Sequence, residues 1–300
     1  MDKLPNGVDI NNLIGHLRII SWEASDILIY YSKLLKQNES NIDIIKNSDF
    51  QDPVTLADLK VNELIIHKLF EKYKNINWEI LSEENVKLEA NTFKSNRDFI
   101  WILDPLDGTK DFIQGTGEYA MHLALNYKNV PYIGAVLIPE KNELWLTNGK
   151  ETWCEKRDGF REIPKISNKQ NLKDMTIVTS RNHRNEHLKN LLQKIRFKKC
   201  ITMGSIGYKI TSILRGESDI YISLSLPGKS SPKDWDFAAP EAILKAAGGA
   251  VTDLDNNNLV YGKLNFEQGG VIVASNCHIF HESICLEIKE IIQKYKLYRI

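Results

Sequence analysis

Two aspartates that follow an apolar run are the first candidates for chemistry in this sequence. Residues 99–103 are all apolar and predict a buried strand, and Asp104 and Asp107 come directly after them. At this spacing both carboxylates and the main-chain carbonyl of Leu106 could face one hard cation. Mg²⁺ prefers oxygen ligands and leaves positions for water and phosphate. The same Asp-Pro and Asp-Gly pairs are also common in an ordinary type I turn, so this segment alone leaves both interpretations open.

Acids also mark other strand and helix ends. Glu83 and Glu84 follow a second short apolar run, residues 78–81, while Asp58 and Asp236 lie at the predicted starts of two helices. Each acid has an ordinary explanation, because carboxylates cap helices and interact favourably with helix N-termini. Helix caps do not explain why separate strand and helix ends all carry carboxylates. The pattern therefore favours a shared acidic site.

Gly204 and Ser205 are candidates of a second kind, because they lie where a predicted strand turns into a predicted helix. Main-chain N–H groups at a helix N-terminus can hold a phosphate. The glycine also has a simpler explanation as a tight-turn residue, and the residues alone leave both interpretations open.

The composition excludes several classes of protein. The chain has 300 residues, with 39 basic and 39 acidic side chains and a hydrophobic fraction of 42%. Disordered chains combine low hydrophobicity with high net charge, and non-specific nucleic-acid binders usually carry a basic excess. We therefore expect a folded protein without a nucleic-acid partner. Sparse cysteines, the absence of a signal peptide and the lack of an apolar run of about 18 residues predict a cytoplasmic protein with no transmembrane segment.

Periodicity and turn signals predict the elements that must position these residues. Apolar residues recur at helical spacing over the first 35 residues. A second helix is predicted from Thr55, because Thr55-x-x-Asp58 is typical of a capping box. Turn signals such as Asn148-Gly149 divide residues 119–163 into short strands of an antiparallel region.

The pattern changes after about residue 165, where strands alternate with helices. We therefore predict an α+β lobe, residues 1–165, which carries most of the metal ligands. An α/β lobe, residues 166–300, would contribute the substrate-binding residues and Asp236. The two lobes are expected to share a cleft and to form one continuous catalytic unit.

Four acidic blocks occur in order along the chain. They are Asp52-Pro-Val-Thr-Leu-Ala-Asp58, Leu81-Ser-Glu-Glu84, Asp104-Pro-Leu-Asp-Gly-Thr109, and Trp235-Asp-Phe-Ala-Ala239 with Ala247-Gly-Gly249. Together they resemble the inositol monophosphatase superfamily, the Mg²⁺-dependent, lithium-sensitive phosphatases. The resemblance extends from about residue 10 to residue 290. It implies a layered αβαβα sandwich and hydrolysis of a phosphate monoester.

The resemblance also implies roles for individual residues. The metal ligands implied for two or three Mg²⁺ ions are all oxygen donors: Glu83, Asp104, Asp107, Asp236 and the Leu106 carbonyl. Asp58 and Thr109 would orient and deprotonate the attacking water. Glu83 would also take part in catalysis, and Glu84 would support the ligands from behind. Metals about 4 Å apart suit an in-line phosphoryl displacement.

The residues that follow Thr109 bear on the substrate. The chain reads Lys110-Asp111-Phe112-Ile113, which is similar to CysQ-type 3'(2'),5'-bisphosphate nucleotidases. The resemblance implies removal of the 3'-phosphate of adenosine 3',5'-bisphosphate, a by-product of sulfate assimilation, to give AMP. The substrate-binding residues expected on this basis are Gly108, Thr109, Lys110, Arg181, His183, Gly204, Ser205 and Lys209.

Other functions remain open at this stage. The same metal site would also serve an inositol phosphate or fructose 1,6-bisphosphate, and a non-catalytic relative would bind cations or phosphate without turnover. Residues 226–233 and Pro240 depart from the usual CysQ pattern and leave the alcohol side of the substrate undetermined. We expect Pro240 in the first turn of its helix, where proline is tolerated. The expected partner is a small phosphate ester, a nucleoside bisphosphate, and a homodimer is also allowed.

Overall fold

The computed structural model describes residues 4–37, 45–47, 54–88 and 95–298. Asp52, the first residue of the first acidic block, lies outside these residues. The helices of the described residues are α1 (Ile10–Gln37), α2 (Leu56–Lys72), α3 (Glu83–Leu88), α4 (Thr109–Ile113), α5 (Glu186–Ile195), α6 (Ile206–Leu214), α7 (Asp234–Ala246) and α8 (His278–Tyr295). The strands are β1 (Ile45–Asn47), β2 (Val54–Thr55), β3 (Glu79–Ser82), β4 (Phe99–Asp107), β5 (Ala120–Tyr127), β6 (Val130–Ile138), β7 (Glu143–Thr147), β8 (Thr152–Glu155), β9 (Arg161–Glu162), β10 (Thr176–Ser180), β11 (Lys199–Met203), β12 (Ile220–Ser225), β13 (Ala250–Asp253) and β14 (Gly270–Ser275).

One sheet has seven strands in the order β3-β4-β5-β6-β7-β8-β9. β3 and β4 are parallel, and every other pair of neighbours in this sheet is antiparallel. The turn predicted at Asn148-Gly149 is confirmed between β7 and β8, where Gly149 has a φ of 85°. The predicted antiparallel region therefore forms most of this sheet, and the parallel β3 is added at its edge.

A second sheet has five strands in the order β11-β10-β12-β14-β13. β10 is parallel to both β11 and β12, while β14 is antiparallel to both β12 and β13. The parallel strands are connected through α5 and α6, because a crossover between parallel strands needs room for a helix. The predicted alternation of strands and helices after residue 165 is confirmed.

Helices lie outside and between the two sheets. α1 and α2 cover one face of the seven-stranded sheet, and α6 and α7 fill the space between the sheets. α5 and α8 cover the outer face of the five-stranded sheet. Each sheet therefore buries both faces, and the layers follow the predicted αβαβα order.

The start of α2 shows how the sequence fixes a helix next to the site. The Thr55 N–H donates to Asp58 Oδ2 at 2.8 Å, and the Ala57 N–H donates to Thr55 Oγ1 at 3.2 Å. The predicted capping box is therefore confirmed. Val61 and Ile65 on the same helix are fully buried against the sheet, so α2 cannot rotate about its axis without exposing them.

The position of Pro240 differs from the prediction. α7 begins at Asp234, so Pro240 is its seventh residue and lies beyond the first turn. A proline nitrogen has no hydrogen to donate, and the carbonyl of Asp236 therefore lacks its usual helical partner. The helix continues through this position because both sheets and α6 pack against α7.

The helices also bear on the predicted absence of a membrane segment. α1 is the longest of those described, with 28 residues. No helix among the described residues has both the length and the apolar character required to cross a membrane.

Candidate metal centre

A bulge in β4 brings the two aspartates of the Asp-Pro-Leu-Asp motif to one place. β4 continues to Asp107, so the prediction that the strand ends before Asp104 is wrong. Asp104 pairs with His122 and Asp107 pairs with Ala120 on β5, which leaves one extra residue on β4. Such bulges occur next to active sites because they turn side chains out of strict alternation. The Leu106 N–H donates to Asp104 Oδ1 at 3.0 Å and orients this carboxylate.

Asp236 approaches the same place from the first turn of α7. Asp104, Asp107 and Asp236 each offer one carboxylate oxygen, and these three oxygens lie within 4.8 Å of one another. The Lys233 N–H donates to Asp236 Oδ2 at 2.5 Å, so the start of the helix orients the side chain. The structure thus brings together three of the five predicted ligands as one carboxylate cluster.

Burial makes the carboxylate cluster unfavourable without a cation. Burial raises the pKa of Asp104 well above its ordinary value, and the charges of Glu83, Asp107 and Asp236 raise it further. Burial also raises the pKa of Asp236, followed by repulsion from Asp107. Like charges at this separation cannot all ionise without compensation. Because the donors are all oxygen atoms, the cluster suits a hard divalent cation such as Mg²⁺.

Glu83 lies beside the carboxylate cluster at the junction of β3 and α3. Its side chain hydrogen bonds with that of Asp104. Lys87 Nζ lies 3.0 Å from Glu83 Oε1 and 3.3 Å from Glu84 Oε1, so one ammonium group offsets part of the charge of both glutamates. Glu84 is buried, whereas Glu83 is partly exposed and therefore more open to a ligand.

Asp58 and Thr109 meet next to the Leu106 carbonyl. Thr109 Oγ1 donates to the Leu106 carbonyl oxygen at 3.1 Å and lies 3.5 Å from Asp58 Oδ1. Burial raises the pKa of Asp58 to about 8; hydrogen bonds from Thr55 oppose the shift, and the charge of Glu84 adds to it. The predicted pair therefore lies together, and the Thr109 hydroxyl is within hydrogen-bond distance of both the Leu106 carbonyl and Asp58.

His122 also contacts the carboxylate cluster, although a histidine inside an apolar run is usually a core residue. Its Nε2 lies 3.2 Å from Asp107 Oδ2, and its Nδ1 hydrogen bonds with the Trp235 carbonyl oxygen at 3.2 Å. The Gly207 N–H, at the start of α6, donates to the same Asp107 oxygen at 2.9 Å. The Gly207 N–H orients Asp107, whereas His122 Nε2 has no hydrogen-bond partner among the described residues. Only the register of β5 against β4 brings His122 next to Asp107, and the sequence carries no local signal of this contact.

Arg181, an expected substrate-binding residue, forms ion pairs with two carboxylates. Its Nη1 donates to Asp111 Oδ1 at 2.5 Å, and its Nη2 lies 2.7 Å from Glu118 Oε2. Asn182 Nδ2 donates to the other oxygen of Asp111 at 2.8 Å. The guanidinium charge is therefore already matched within the protein. Asp111 and Glu118 were not predicted as site residues, because their partners lie far away in the sequence.

Gly204 and Ser205 lie at the predicted turn from β11 into α6. The Gly204 N–H donates to Glu118 Oε2 at 2.8 Å, and the Ser205 N–H donates to the Glu118 carbonyl oxygen at 2.9 Å. Ser205 Oγ caps α6 by accepting from the Tyr208 N–H at 3.0 Å. A side chain at position 204 would overlap the main chain of Glu118. Gly108 has a φ of 86°, and a Cβ there would lie 3.0 Å from that of Ser205. Both glycines therefore serve close packing between α4 and α6.

Lys209 and His183 bring basic groups close to the carboxylate cluster. Lys209 Nζ donates to the Gly204 carbonyl oxygen and lies 5.3 Å from the centroid of the Tyr221 ring. Burial lowers the pKa of Lys209 to about 8, and nearby carboxylates act against this shift. Burial also lowers the pKa of His183, followed by the positive charges of Lys110 and Lys209. Two of the predicted substrate residues, Lys110 and Lys209, are therefore within electrostatic range of a third, His183.

The fold has close structural counterparts. An inositol monophosphatase from Zymomonas mobilis superposes with a TM-score of 0.72 at 20% sequence identity, over 94% of this chain and 99% of that structure. This likeness extends over both sheets, and it establishes the layered architecture.

Curated relatives share the sequence as well. The 3'(2'),5'-bisphosphate nucleotidase CysQ of Buchnera aphidicola subsp. Acyrthosiphon pisum is 34% identical over 211 residues, which cover 70% of this chain and 74% of the relative. The 3'(2'),5'-bisphosphate nucleotidase CysQ of Escherichia coli K12 is 28% identical over 220 residues, or 73% of this chain and 83% of the relative.

The layered fold, the carboxylate cluster and these relatives define a metal-dependent phosphatase. The model of the inositol monophosphatase family matches residues 17–293. The chain therefore belongs to the inositol monophosphatase family.

Proposed function

We propose that this phosphatase removes the 3'-phosphate of adenosine 3',5'-bisphosphate and releases AMP, with Mg²⁺ bound at the carboxylate cluster. The single observation that carries the metal-dependent chemistry is the convergence of Asp104, Asp107 and Asp236. The choice of nucleotide is supported by the bisphosphate nucleotidases among the relatives. It is also supported by the motif that begins at Lys110, which is similar to theirs.

Each residue of the site has a definite task in this proposal. Mg²⁺ would supply a Lewis acid that acidifies water and offsets the charge of the phosphoryl group. Thr109 Oγ1 takes a proton from the attacking water and passes its own proton to Asp58 Oδ1. The water oxygen forms a bond to phosphorus while the bond to the 3'-oxygen breaks, and the 3'-oxygen leaves with the electron pair. It takes up a proton from solvent water, and Asp58 later returns its proton to the solvent. For this transfer the Thr109 hydroxyl donates to Asp58 Oδ1, which lies 3.5 Å away, and not to the Leu106 carbonyl.

The ligand set completes the proposal. Two or three Mg²⁺ ions would be held by oxygen donors, which are Glu83, Asp104, Asp107, Asp236 and the Leu106 carbonyl. The number of ions can be counted by calorimetric titration of the metal-free protein. We also propose that residues 1–165 and 166–300 act as one unit, because the carboxylate cluster takes ligands from both, and that the protein acts alone or as a homodimer.

The second phosphate of the substrate needs positive charge beside the metals. We propose that Lys110 and Lys209 provide it and that His183 also binds this phosphate. The support is that the charges of Lys110 and Lys209 both act on His183. A bound phosphate would favour the charged form of Lys209, whose pKa burial lowers to about 8.

A substrate panel tests the proposed function. Phosphate release is measured for adenosine 3',5'-bisphosphate, inositol 1-phosphate and fructose 1,6-bisphosphate at equal concentration, with Mg²⁺ or with EDTA. We expect the highest kcat/KM for the nucleotide and no release in EDTA. A preference for either sugar phosphate would contradict the nucleotide assignment, and release in EDTA would contradict the metal mechanism.

A variant of the carboxylate cluster tests the same mechanism. Asp107→Asn should lower kcat/KM by about 10²-fold or more, because it removes one charged ligand at the reacting centre. Asp158→Asn is the matched control, since Asp158 lies in an exposed turn and accepts from the Phe160 N–H. Full activity of Asp107→Asn would overturn the proposed ligand set.

A further inference from the structure

Arg181 lies in a network in which acidic groups outnumber basic ones. Its guanidinium contacts Asp111 at 2.5 Å and Glu118 at 2.7 Å, so one positive charge faces two negative ones. Asp111 is 2% exposed and also accepts from Thr116 Oγ1 at 3.0 Å and from Asn182 Nδ2 at 2.8 Å. The network of Arg181, Asp111 and Glu118 carries a net negative charge. Both terminal nitrogens of the guanidinium already contact a carboxylate. The network therefore does not attract a phosphate group.

The same network holds the start of α6. Glu118 accepts the Gly204 N–H through Oε2 at 2.8 Å and the Ser205 N–H through its carbonyl oxygen at 2.9 Å. The Arg181 N–H donates to the Met203 carbonyl oxygen at 2.9 Å. Arg181 is thus bound both to the segment after α4 and to the end of β11. Loss of the guanidinium would free Glu118 and weaken the attachment of residues 203–205.

The start of α6 is in turn bound to the carboxylate cluster. The Gly207 N–H donates to Asp107 Oδ2 at 2.9 Å, and this oxygen belongs to one of the three converging carboxylates. A shift of α6 would therefore move the hydrogen-bond donor that orients Asp107. Donors behind a metal ligand affect metal affinity because they fix its direction.

We propose that Arg181 is a positioning residue, which fixes the start of α6 and through it Asp107, and does not bind the phosphate of the substrate. The inference rests on the proposed function in one respect, because it takes Asp107 as a metal ligand. It replaces the expectation that Arg181, as a basic group beside the metals, binds a substrate with two phosphates.

Kinetics and metal binding of Arg181→Met separate the two roles. We expect the Mg²⁺ concentration for half-maximal activity, and the Mg²⁺ Kd from calorimetry, to rise by about 10-fold, at the low end of effects from residues behind a metal ligand. The KM for the nucleotide at saturating Mg²⁺ should stay within about twofold. Arg181→Lys, which keeps the charge, should show a smaller rise. A higher KM with unchanged Mg²⁺ affinity would overturn the proposal, as would no change in either quantity.

Hydrogen exchange supplies a readout that does not depend on activity. In the metal-free protein, Arg181→Met should speed amide exchange in residues 204–210, because the start of α6 is less firmly held. Unchanged exchange in that segment would also overturn the proposal. If the unaltered protein hydrolyses no phosphate ester, the proposed function fails, while exchange and calorimetric Mg²⁺ binding still decide the role of Arg181.

Two further variants guard against a general loss of stability. Arg157→Met removes an arginine that pairs with Asp26 through two contacts, at 2.7 and 3.2 Å, and should leave both Mg²⁺ affinity and exchange in residues 204–210 unchanged. Asp111→Asn tests the network from its other side and should reproduce the Arg181→Met result. If Arg181→Met does not fold, Asp111→Asn alone decides, with the same outcomes for and against.

Discussion

The two carboxylate oxygens of Asp58 have different partners. Oδ2 accepts from the Thr55 N–H at 2.8 Å and from Thr55 Oγ1 at 2.5 Å, while Oδ1 lies 3.5 Å from Thr109 Oγ1. One side chain therefore caps α2 and also faces the proposed reacting hydroxyl. Because the cap fixes the carboxylate through Oδ2, the other oxygen points at Thr109 without any further support.

These two roles of Asp58 can be separated by substitution. Asp58→Asn should lower kcat by about 10²- to 10⁴-fold, the range for loss of a general base. The KM should change little, because Asp58 does not contact the phosphate in the proposed mechanism. Steady-state kinetics at saturating Mg²⁺ measure both quantities.

Thr55→Ala is the matched control for the cap. It removes the side-chain contacts but leaves the Asp58 carboxylate in place, so it should cost about 1 kcal/mol in the free energy of unfolding. We expect kcat to fall far less than in Asp58→Asn. A loss of kcat as large as that of Asp58→Asn would show that the cap, and not proton transfer, is what turnover requires.

At the level of single residues, the sequence predicts charged ligands better than it predicts the residues that orient them. Asp104 and Asp107 were identifiable because two acids after an apolar run are conspicuous. Asp236 was identifiable as an acid at a predicted helix start, and the family resemblance gave it the role of a ligand. His122 and Asp111 could not be identified, since their importance comes from partners brought close only by strand pairing or by contacts between distant segments.

Among the elements, α6 depends on a close approach to β5. A Cβ at Gly207 would overlap Nε2 of His122, and the Ala120 Cβ lies 3.0 Å from the same position. The helix N-terminus can therefore reach Asp107 only if residue 207 has no side chain.

Gly207→Ala should therefore destabilise the protein, although alanine favours helices. We expect a loss of about 1 to 3 kcal/mol in the free energy of unfolding, which is typical of overpacking, together with weaker Mg²⁺ binding. Chemical denaturation and calorimetric titration measure the two effects.

Gly15→Ala in α1 is the opposite case and serves as control. No atom of the described residues lies within 4 Å of a Cβ at this position, so the helix propensity of alanine should raise stability by about 0.5 to 1 kcal/mol. Equal effects of the two substitutions would contradict the close-approach explanation for Gly207.

Periodicity predicts an element well where the spacing of its apolar residues alone determines which of them are buried. Leu13, Leu17 and Ile20 of α1 are fully buried, as the three- and four-residue steps indicate. The extension of β4 through Asp107 depends on pairing with β5, and the persistence of α7 through Pro240 depends on packing from both sides. Neither property is encoded in the local sequence, so neither was predicted.

For the whole molecule, the buried acids couple stability to pH and to Mg²⁺. The pKa of Asp58 rises from 3.8 to about 8 in the folded state, mainly because of burial. Between these values the folded protein holds a proton that the unfolded chain has lost. Stability is therefore highest below about pH 4 with respect to this group, and it falls as the pH rises toward 8. The raised pKa values of Asp104 and Asp236 act in the same direction.

We therefore expect the metal-free protein to have a lower Tm at pH 8 than at pH 5. Added Mg²⁺ should raise the Tm more at pH 8, because it binds the deprotonated carboxylates and only in the folded state. Thermal unfolding at both pH values, with EDTA or with Mg²⁺, measures the difference. NaCl at equal ionic strength, free of divalent cations, is the control. If NaCl raised the Tm as much as Mg²⁺, the effect would be general charge screening.

The positions of the three clustered carboxylates in the sequence determine when the carboxylate cluster can form during synthesis. The ribosome releases Asp104 and Asp107 while α6 and α7 are still to be made, and Asp236 emerges last of the three. Until then a nascent chain offers only part of the coordination shell, and the inner face of the seven-stranded sheet has no helical layer to cover it. Mg²⁺ can therefore meet all three converging carboxylates only after Asp236 has been made. A chain stalled before α7 would expose apolar surface and would depend on chaperones for its solubility.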